Sequence, residues 1–171
     1  MPDRTDELDA LLAEQILLLD GAMGTQLQAL GLDEAGVRGE RFADHHKDLK
    51  NFGDLLCLTR PDDITDIHRR YYAAGAHIVE TTTFNDPPPG LAEFELPDTL
   101  CAEINAAAVA CAIRARDEAL EESPDVPRFV AGSIGPTARQ MAISTNVEDP
   151  AFRGATFDEM AETYTEQIDA L

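Results

Sequence analysis

The chain has 171 residues, with 33 Asp+Glu against 13 Lys+Arg and a formal charge of −20. This length and an apolar fraction of 44% fit one ordinary domain with its own core. The acidity argues against a nucleic-acid binder, which needs a basic face, and against attachment to an anionic membrane surface.

Only two of the basic residues are lysines, Lys47 and Lys50. An acidic, lysine-poor surface fits either a high-salt cytoplasm or plain solubility through net charge. No apolar run approaches the roughly 18 residues of a membrane span. The N-terminus, MPDRTDELDALLAEQ, is acidic and amphipathic, unlike a signal peptide. Cys57, Cys101 and Cys111 do not suggest a disulfide framework, so a cytoplasmic protein is expected.

Leu8, Leu11 and Leu12 predict a short N-terminal helix within residues 1–15. ILLLD at 16–20 is a continuous apolar run ending in an acid, which predicts a strand buried on both faces. DGAMGTQLQALG then turns into a helix that stops near Gly31, and residues 32–53 read as an irregular, charged loop. Pro61 opens the next helix, with Asp62 and Asp63 in its first turn. Ile64, Ile67 and Tyr71 line one face, His68 falls on the polar side, and Gly75 is the expected stop.

HIVETTTF at 77–84 predicts a second strand, and PPPG at 87–90 breaks the chain. Asp98 is expected to cap a long helix carrying Leu100, Ile104, Ala108, Cys111 and Ala115, which ends before Pro124. RFVAGSIG at 128–135 predicts a third strand, followed by a loop. Thr156 and Glu159 form a capping-box pattern ahead of Phe157, Met160, Tyr164, Ile168 and Leu171 at helical spacing.

This alternation predicts an α/β fold with a parallel sheet and helical crossovers, its strands buried as in a barrel or a doubly wound sheet. The last helix still presents apolar residues at Leu171, without a Gly, Pro or basic stop signal. The chain therefore reads as the front part of a larger domain. A (β/α)8 barrel takes about 250 residues, and roughly its first three β/α units are expected here.

In parallel α/β folds ligands bind at the C-terminal strand ends. The three expected ends are Asp20 to Thr25, Glu80 to Asn85 and Gly132 to Thr137, and together they suggest a pocket for a small polar ligand. Asp20 either accepts from an ammonium group or caps the following helix. Gly21 and Gly24 permit close backbone approach, with N–H groups able to bind a carboxylate. Glu80, inside an apolar strand, needs either a ligand or a partner such as an arginine. Thr81, Thr82 and Thr83 serve as strand formers, Phe84 packs, and Asn85 is a turn residue or a polar group at the rim. His45, His46, His68 and His77 read as non-catalytic. The cysteines lack zinc-ligand spacing, and Cys101 and Cys111 fit the buried face of one helix.

The segments ILLLDGAMGTQLQ, ERFADH, GDLLCLTRPDDITDIHRRYYAAGAHIVETTTFN, AEIN, RFVAGSIGPTARQMAIS and DPAFRGATFDEM occur in that order. Together they resemble the N-terminal homocysteine-binding module of cobalamin-dependent methionine synthase, in the homocysteine S-methyltransferase family, from about Ile16 onward. The resemblance implies a partial (β/α)8 TIM barrel over 16–171, truncated at its C-terminal side, behind an N-terminal helix at 1–15. It implies a parent enzyme that transfers a methyl group from methylcobalamin to zinc-activated homocysteine, giving methionine. Zinc there holds the thiol as the nucleophilic thiolate. The cobalamin and folate modules belong to later parts of such a parent.

Residue by residue, the resemblance places Asp20 and Gly21 in the family's DGG-type turn, facing the amino-acid end of homocysteine. It places Glu80, Phe84 and Asn85 in the ETNTFN-type strand end, and Gly135 and Pro136 on the third rim. The family's zinc ligands are one lone cysteine and an adjacent Cys-Cys pair. This sequence has no such pair, so ligand cysteines are expected beyond Leu171, and neither a metal ligand nor a catalytic residue is assigned here. Ala22 replaces the usual second glycine of the turn, and DPPPG at 86–90 stands where the family has small polar residues. The chain alone is expected to bind no cofactor and to be inactive, its partners being homocysteine and the rest of the parent. Two alternatives stand beside this reading. One is a cobalamin-independent homocysteine S-methyltransferase using betaine or S-methylmethionine, and the other is a non-catalytic docking fragment.

Overall fold

The computed structural model of the chain describes residues 4–85, 87–137, 139, 141–144 and 146–171. It is an α/β structure, mostly helical, around a small parallel sheet. Helix α1 (Thr5–Glu14) comes first, then α2 (Met23–Ala29), α3 (Glu34–Arg38), a 3₁₀ turn (Gly53–Leu55), α4 (Leu56–Thr59) and α5 (Pro61–Ala73). Strand β1 (Ile78–Glu80), α6 (Pro88–Glu93), α7 (Leu100–Glu122), β2 (Phe129–Ala131) and α8 (Phe157–Ala170) follow.

Strands β1 and β2 pair in parallel with Val79 opposite Val130. The run at 16–20 lies along the other side of β1 through a parallel bridge from Leu19 to Ile78. Asp20 N–H donates to the Ile78 carbonyl at 2.9 Å and Ile78 N–H to the Leu18 carbonyl at 3.2 Å. The three predicted strand segments thus stand side by side in sequence order.

The expected two-sided burial of the first strand is corrected. Ile16 is 87% exposed, and Leu18 and Leu19 are about half exposed. An apolar run is buried on both faces only when something covers both. Here the segment pairs with β1 on one side, and no described element packs over its apolar side chains. The second and third strands are also shorter than expected, at three residues each. Val79 packs with Tyr72, Ala112, Ala115 and Ala119, so β1 is covered by α5 and α7 on that face alone.

The core sits between helices and beneath the loop that precedes them. Helix α5 starts at Pro61, where the missing N–H costs nothing, and Asp62 and Asp63 face its positive end. It packs along α7, whose buried stripe runs through Leu100, Ile104, Ala108, Cys111, Ala112, Ala115 and Ala119. The alanines let the two helix axes approach closely. Tyr72, not Tyr71, is the fully buried aromatic of α5, and its hydroxyl donates to the Phe129 carbonyl at 2.7 Å. His68 is also fully buried rather than on a polar face, and burial lowers its pKa to about 4.

The expected loop at 32–53 holds more structure than its composition suggests. Asp33 caps α3 by accepting from Gly36 N–H at 2.8 Å, and Gly39 leaves the helix at a φ of 56°. Arg38 then donates to the carbonyls of His45 and Lys47 and gathers the following turns. Leu49 and Phe52 drop into the core with no exposure, and Phe52 stacks on Phe94 at 4.7 Å between ring centroids.

Three further expectations are adjusted. The prolines at 87–89 do not merely break the chain, because Pro88 starts α6. Thr99, not Asp98, occupies the N-cap of α7, and no side chain caps it. Helix α8 has the complete capping box of Thr156 and Glu159, but its buried residues are Met160 and Gln167, while Phe157 and Ile168 are exposed. Among the described residues no helix is long and apolar enough to cross a membrane.

Candidate functional site

The three strand ends open onto one cleft of about 650 Å³. The first end contributes Asp20, Gly21 and Ala22, the second Glu80, Thr81, Thr82, Phe84 and Asn85, and the third Ser133. Helix α2 supplies Met23, Leu27 and Gln28, and the turn before α4 supplies Lys50, Asn51, Gly53 and Asp54. Gly135 and Pro136 are not on this cleft. Pro136 lines an adjoining hollow of about 430 Å³ that shares Asn51, Phe84 and Asn85 with it.

Asp20 bridges two strands. Its Oδ2 accepts from Glu80 N–H at 3.1 Å, so a side chain continues the ladder where the backbone pairing stops. Its other oxygen, Oδ1, is buried without a hydrogen-bond partner. The helix-capping alternative is not what forms, since Ala22 is the N-cap of α2 and no side chain bonds there. Burial pushes the Asp20 carboxyl up to about 6, against the bond from Glu80 N–H and with a further push from the nearby Glu80 carboxylate. A half-buried carboxylate with an unused oxygen favours a cationic hydrogen-bond donor.

Glu80 turns out exposed rather than buried in its strand, so the expected need for an arginine or another partner does not arise. Phe84 is half exposed rather than packed, and Asn85 is exposed at the rim. Asn85 N–H donates to the buried carboxylate of Asp54, a residue that sequence reasoning passed over. An acid inside the apolar stretch GDLL was the available signal, because a buried carboxylate requires donors.

The threonines act as more than strand formers. Thr81, Thr82 and Thr83 are buried beyond the end of β1. Ser133 N–H donates to Thr81 Oγ1 at 2.9 Å and Thr83 Oγ1 donates to the Ser133 carbonyl at 2.8 Å, tying the second and third strand ends together. Gln167 Nε2 reaches in from α8 to the Thr83 carbonyl at 2.8 Å, and the Tyr164 hydroxyl donates to the Gly135 carbonyl at 3.2 Å. Gly135 lies so close to Phe84 that an added Cβ would stand 2.0 Å from the Phe84 carbonyl oxygen. Its place in the rim is therefore one of contact distance.

The cysteines do not assemble a metal site. All three are buried, Cys57 beside the Thr82 carbonyl and Cys111 beside the Pro61 carbonyl. Among the described residues no three His, Cys, Asp or Glu side chains come together as metal ligands. His45 bonds the Phe94 carbonyl, His46 the Glu95 carboxylate, and His77 Nδ1 accepts from Leu18 N–H. Asp86, from the DPPPG departure, lies outside the described residues, as do positions 138 and 140 of the RFVAGSIGPTARQMAIS segment.

Comparison with known proteins adds an independent line. A sequence profile described as homocysteine S-methyltransferase matches residues 17–171. The metallated form of the homocysteine methyltransferase MmuM from Escherichia coli superposes with a TM-score of 0.69 at 26% identity, covering 96% of this chain and 52% of that one. Its oxidized form gives a TM-score of 0.65 at 29% identity, covering 95% of this chain and 53% of that one. Its apo form gives 0.63 at 26%, covering 96% of this chain and 48% of that one. The chain spans about half the length of the solved structures it matches.

Proposed function

The chain belongs to the homocysteine S-methyltransferase family, and from that premise we propose that its cleft holds the amino-acid end of homocysteine for methyl transfer to the thiol. The observation that carries this reading is Asp20. Asp20 lines a cleft formed where three parallel strand segments end, one of its oxygens is buried without a partner, and a carboxylate so placed suits an ammonium group. Gly21 beside it leaves the backbone open to a carboxylate, and Glu80, Phe84 and Asn85 line the same cleft. Gly135 enters as a rim residue in close contact with Phe84, and Pro136 as a rim residue of the adjoining hollow.

In this reading residues 16–171 are the first β/α units of a (β/α)8 barrel, and residues 1–15 a leading helix. Side-by-side strands in sequence order support a barrel over a doubly wound sheet, whose strand order reverses. The parent is read as methionine synthase, with methylcobalamin as donor and zinc holding the homocysteine thiol. The metallated state of the Escherichia coli enzyme is consistent with a metal in the family. The three cysteines of this chain do not fit that metal, so no step through zinc is derived from them.

A second reading keeps the substrate and changes the donor to betaine or S-methylmethionine. What favours it is that the superposed structures are of a homocysteine methyltransferase, matched along nearly all of this chain.

The test is calorimetric titration of the chain with L-homocysteine. Binding is expected, with a loss of about tenfold or more in Asp20→Asn, the scale of a charge-assisted hydrogen bond. Equal affinity in the two proteins would sink the assignment. Methyl transfer by the parent from methylcobalamin, but not from betaine or S-methylmethionine, separates the two donors.

A further inference from the structure

Phe84 and Asn85 border both the main cleft and the adjoining hollow, so the peptide that joins them shapes two cavities. Burial does not hold these side chains, since Phe84 is half exposed and Asn85 is exposed. Their placement depends on the backbone beneath them. That backbone is met from three sides by elements far apart in sequence. At the third strand end, a Cβ added at Gly135 would strike the Phe84 carbonyl oxygen, as described above. From α6, a Cβ added at Gly90 would stand 1.9 Å from the Asn85 carbonyl oxygen. Between those two carbonyls, Asn85 N–H donates to the Asp54 carboxylate of the 3₁₀ turn.

The two glycines permit close approach, but the Asp54 bond is an attraction. Asp54 is 3% exposed, and Leu49, Phe52 and Leu55 around it in sequence are fully buried. A carboxylate in such a place carries a desolvation cost that an apolar residue would not. What it offers in return is a hydrogen bond to a backbone amide roughly twice as strong as a neutral oxygen would make. The turn that bears it is itself fixed, because Gly53 meets Leu27 of α2 so tightly that an added Cβ would lie 2.7 Å from its Cδ1. Thr83 is already tied to Ser133 and Gln167. Asn85 is therefore where the second strand end would splay if Asp54 let go.

We propose that Asp54 is a positioning residue of the cleft. Through Asn85 N–H it fixes the Phe84–Asn85 peptide, and with it the two side chains that line both cavities. In this role it acts through Asn85 and not on the ligand. Side chains fixed in advance lower the ordering cost of binding. The effect on ligand affinity rests on the homocysteine reading above, whereas the grip on the peptide does not.

The test pairs amide NMR with calorimetry on the full chain, using the unaltered protein, Asp54→Ala and Asp54→Asn. In the unaltered chain the Asn85 amide proton is expected downfield and protected from exchange. In Asp54→Ala it is expected to move upfield and exchange at least about tenfold faster, the scale of a hydrogen bond to a charged group. L-homocysteine is expected to bind Asp54→Ala about fivefold more weakly, the cost of ordering rim side chains on binding. Asp54→Asn keeps an oxygen that can accept from Asn85 N–H, so it is expected to recover most of the protection and of the affinity. An equal loss of affinity in Asn and Ala variants overturns the proposal, because it would mean that the charge meets the ligand directly. Full affinity in a folded Asp54→Ala overturns it as well, leaving Asp54 a purely structural residue. An unprotected Asn85 amide in the unaltered chain overturns it without any variant, so the proposal stays open to refutation even where Asp54→Ala does not fold. Failure of the unaltered chain to bind L-homocysteine overturns the homocysteine reading alone, and the Asn85 resonance then decides the role of Asp54.

Discussion

Asp20 carries two opposing dependences on pH. Its carboxyl titrates near 3.8 when free and is pushed by burial up to about 6 in the fold. Between those values the folded chain holds more protons than the unfolded one, so this residue's contribution to stability is full below about 4 and is lost as pH rises through 6. The ionised form is the one that attracts an ammonium group, so ligand affinity rises over the same window. We expect Asp20→Asn to flatten the fall in stability between pH 4 and 6 and to be the more stable protein at pH 7. Urea unfolding across that range checks this. A slope identical in both proteins would assign the titration elsewhere.

At the scale of elements, α8 shows what local chemistry decides and what it does not. Thr156 accepts from Glu159 N–H at 3.2 Å while Glu159 accepts from Thr156 N–H at 2.7 Å. Thr156→Ala is expected to cost about 1 kcal/mol, read as a lower denaturant midpoint with unchanged slope. This start was legible in the sequence because a cap needs only residues three apart, and Pro61 was legible for the same reason. The face of α8 was not. Gln167 is buried where its amide donates to the Thr83 carbonyl, while Phe157 and Ile168 are left exposed. Helical spacing marks which residues share a face, but the partner across the gap decides what is buried. The run at 16–20 has the same lesson, since its apolarity was plain and the absence of cover was not. Helix α3 could have been read from the Asp33 cap, the closing Gly39 and the basic Arg38 in its last turn. Much of the cleft was legible as well, because five of the seven expected residues line it. Lys50 was not, because it comes from a segment that carries no strand-end signature, and Asp54 was marked only as an acid inside the apolar stretch GDLL.

For the whole molecule, charge is the dominant collective property. Thirty-three acids and 13 bases on one small fold repel one another on average, and added salt shortens the range of that repulsion. Most ion pairs here join side chains that are at least partly exposed, so their loss to screening is small beside the relief of net repulsion. The melting temperature is therefore expected to rise as KCl is raised from about 0.1 M toward 1 M, where the screening length falls from ~10 Å to ~3 Å. A steady fall with KCl would contradict this and would also remove the case for a high-salt cytoplasm.

The hydrogen bond from Glu80 N–H to Asp20 makes one carboxylate both a rung of the sheet and a wall of the cleft. The segment bearing Asp20 is the least covered part of the sheet, so its amide protons should be among the first to trade with solvent deuterium. A cation lodged against Asp20 Oδ1 would pin that carboxylate and, through it, the neighbouring strand. Occupancy of the cleft would then be visible as slower isotope exchange at the amides of Asp20 and Glu80, with no change in the buried turns of α5 and α7.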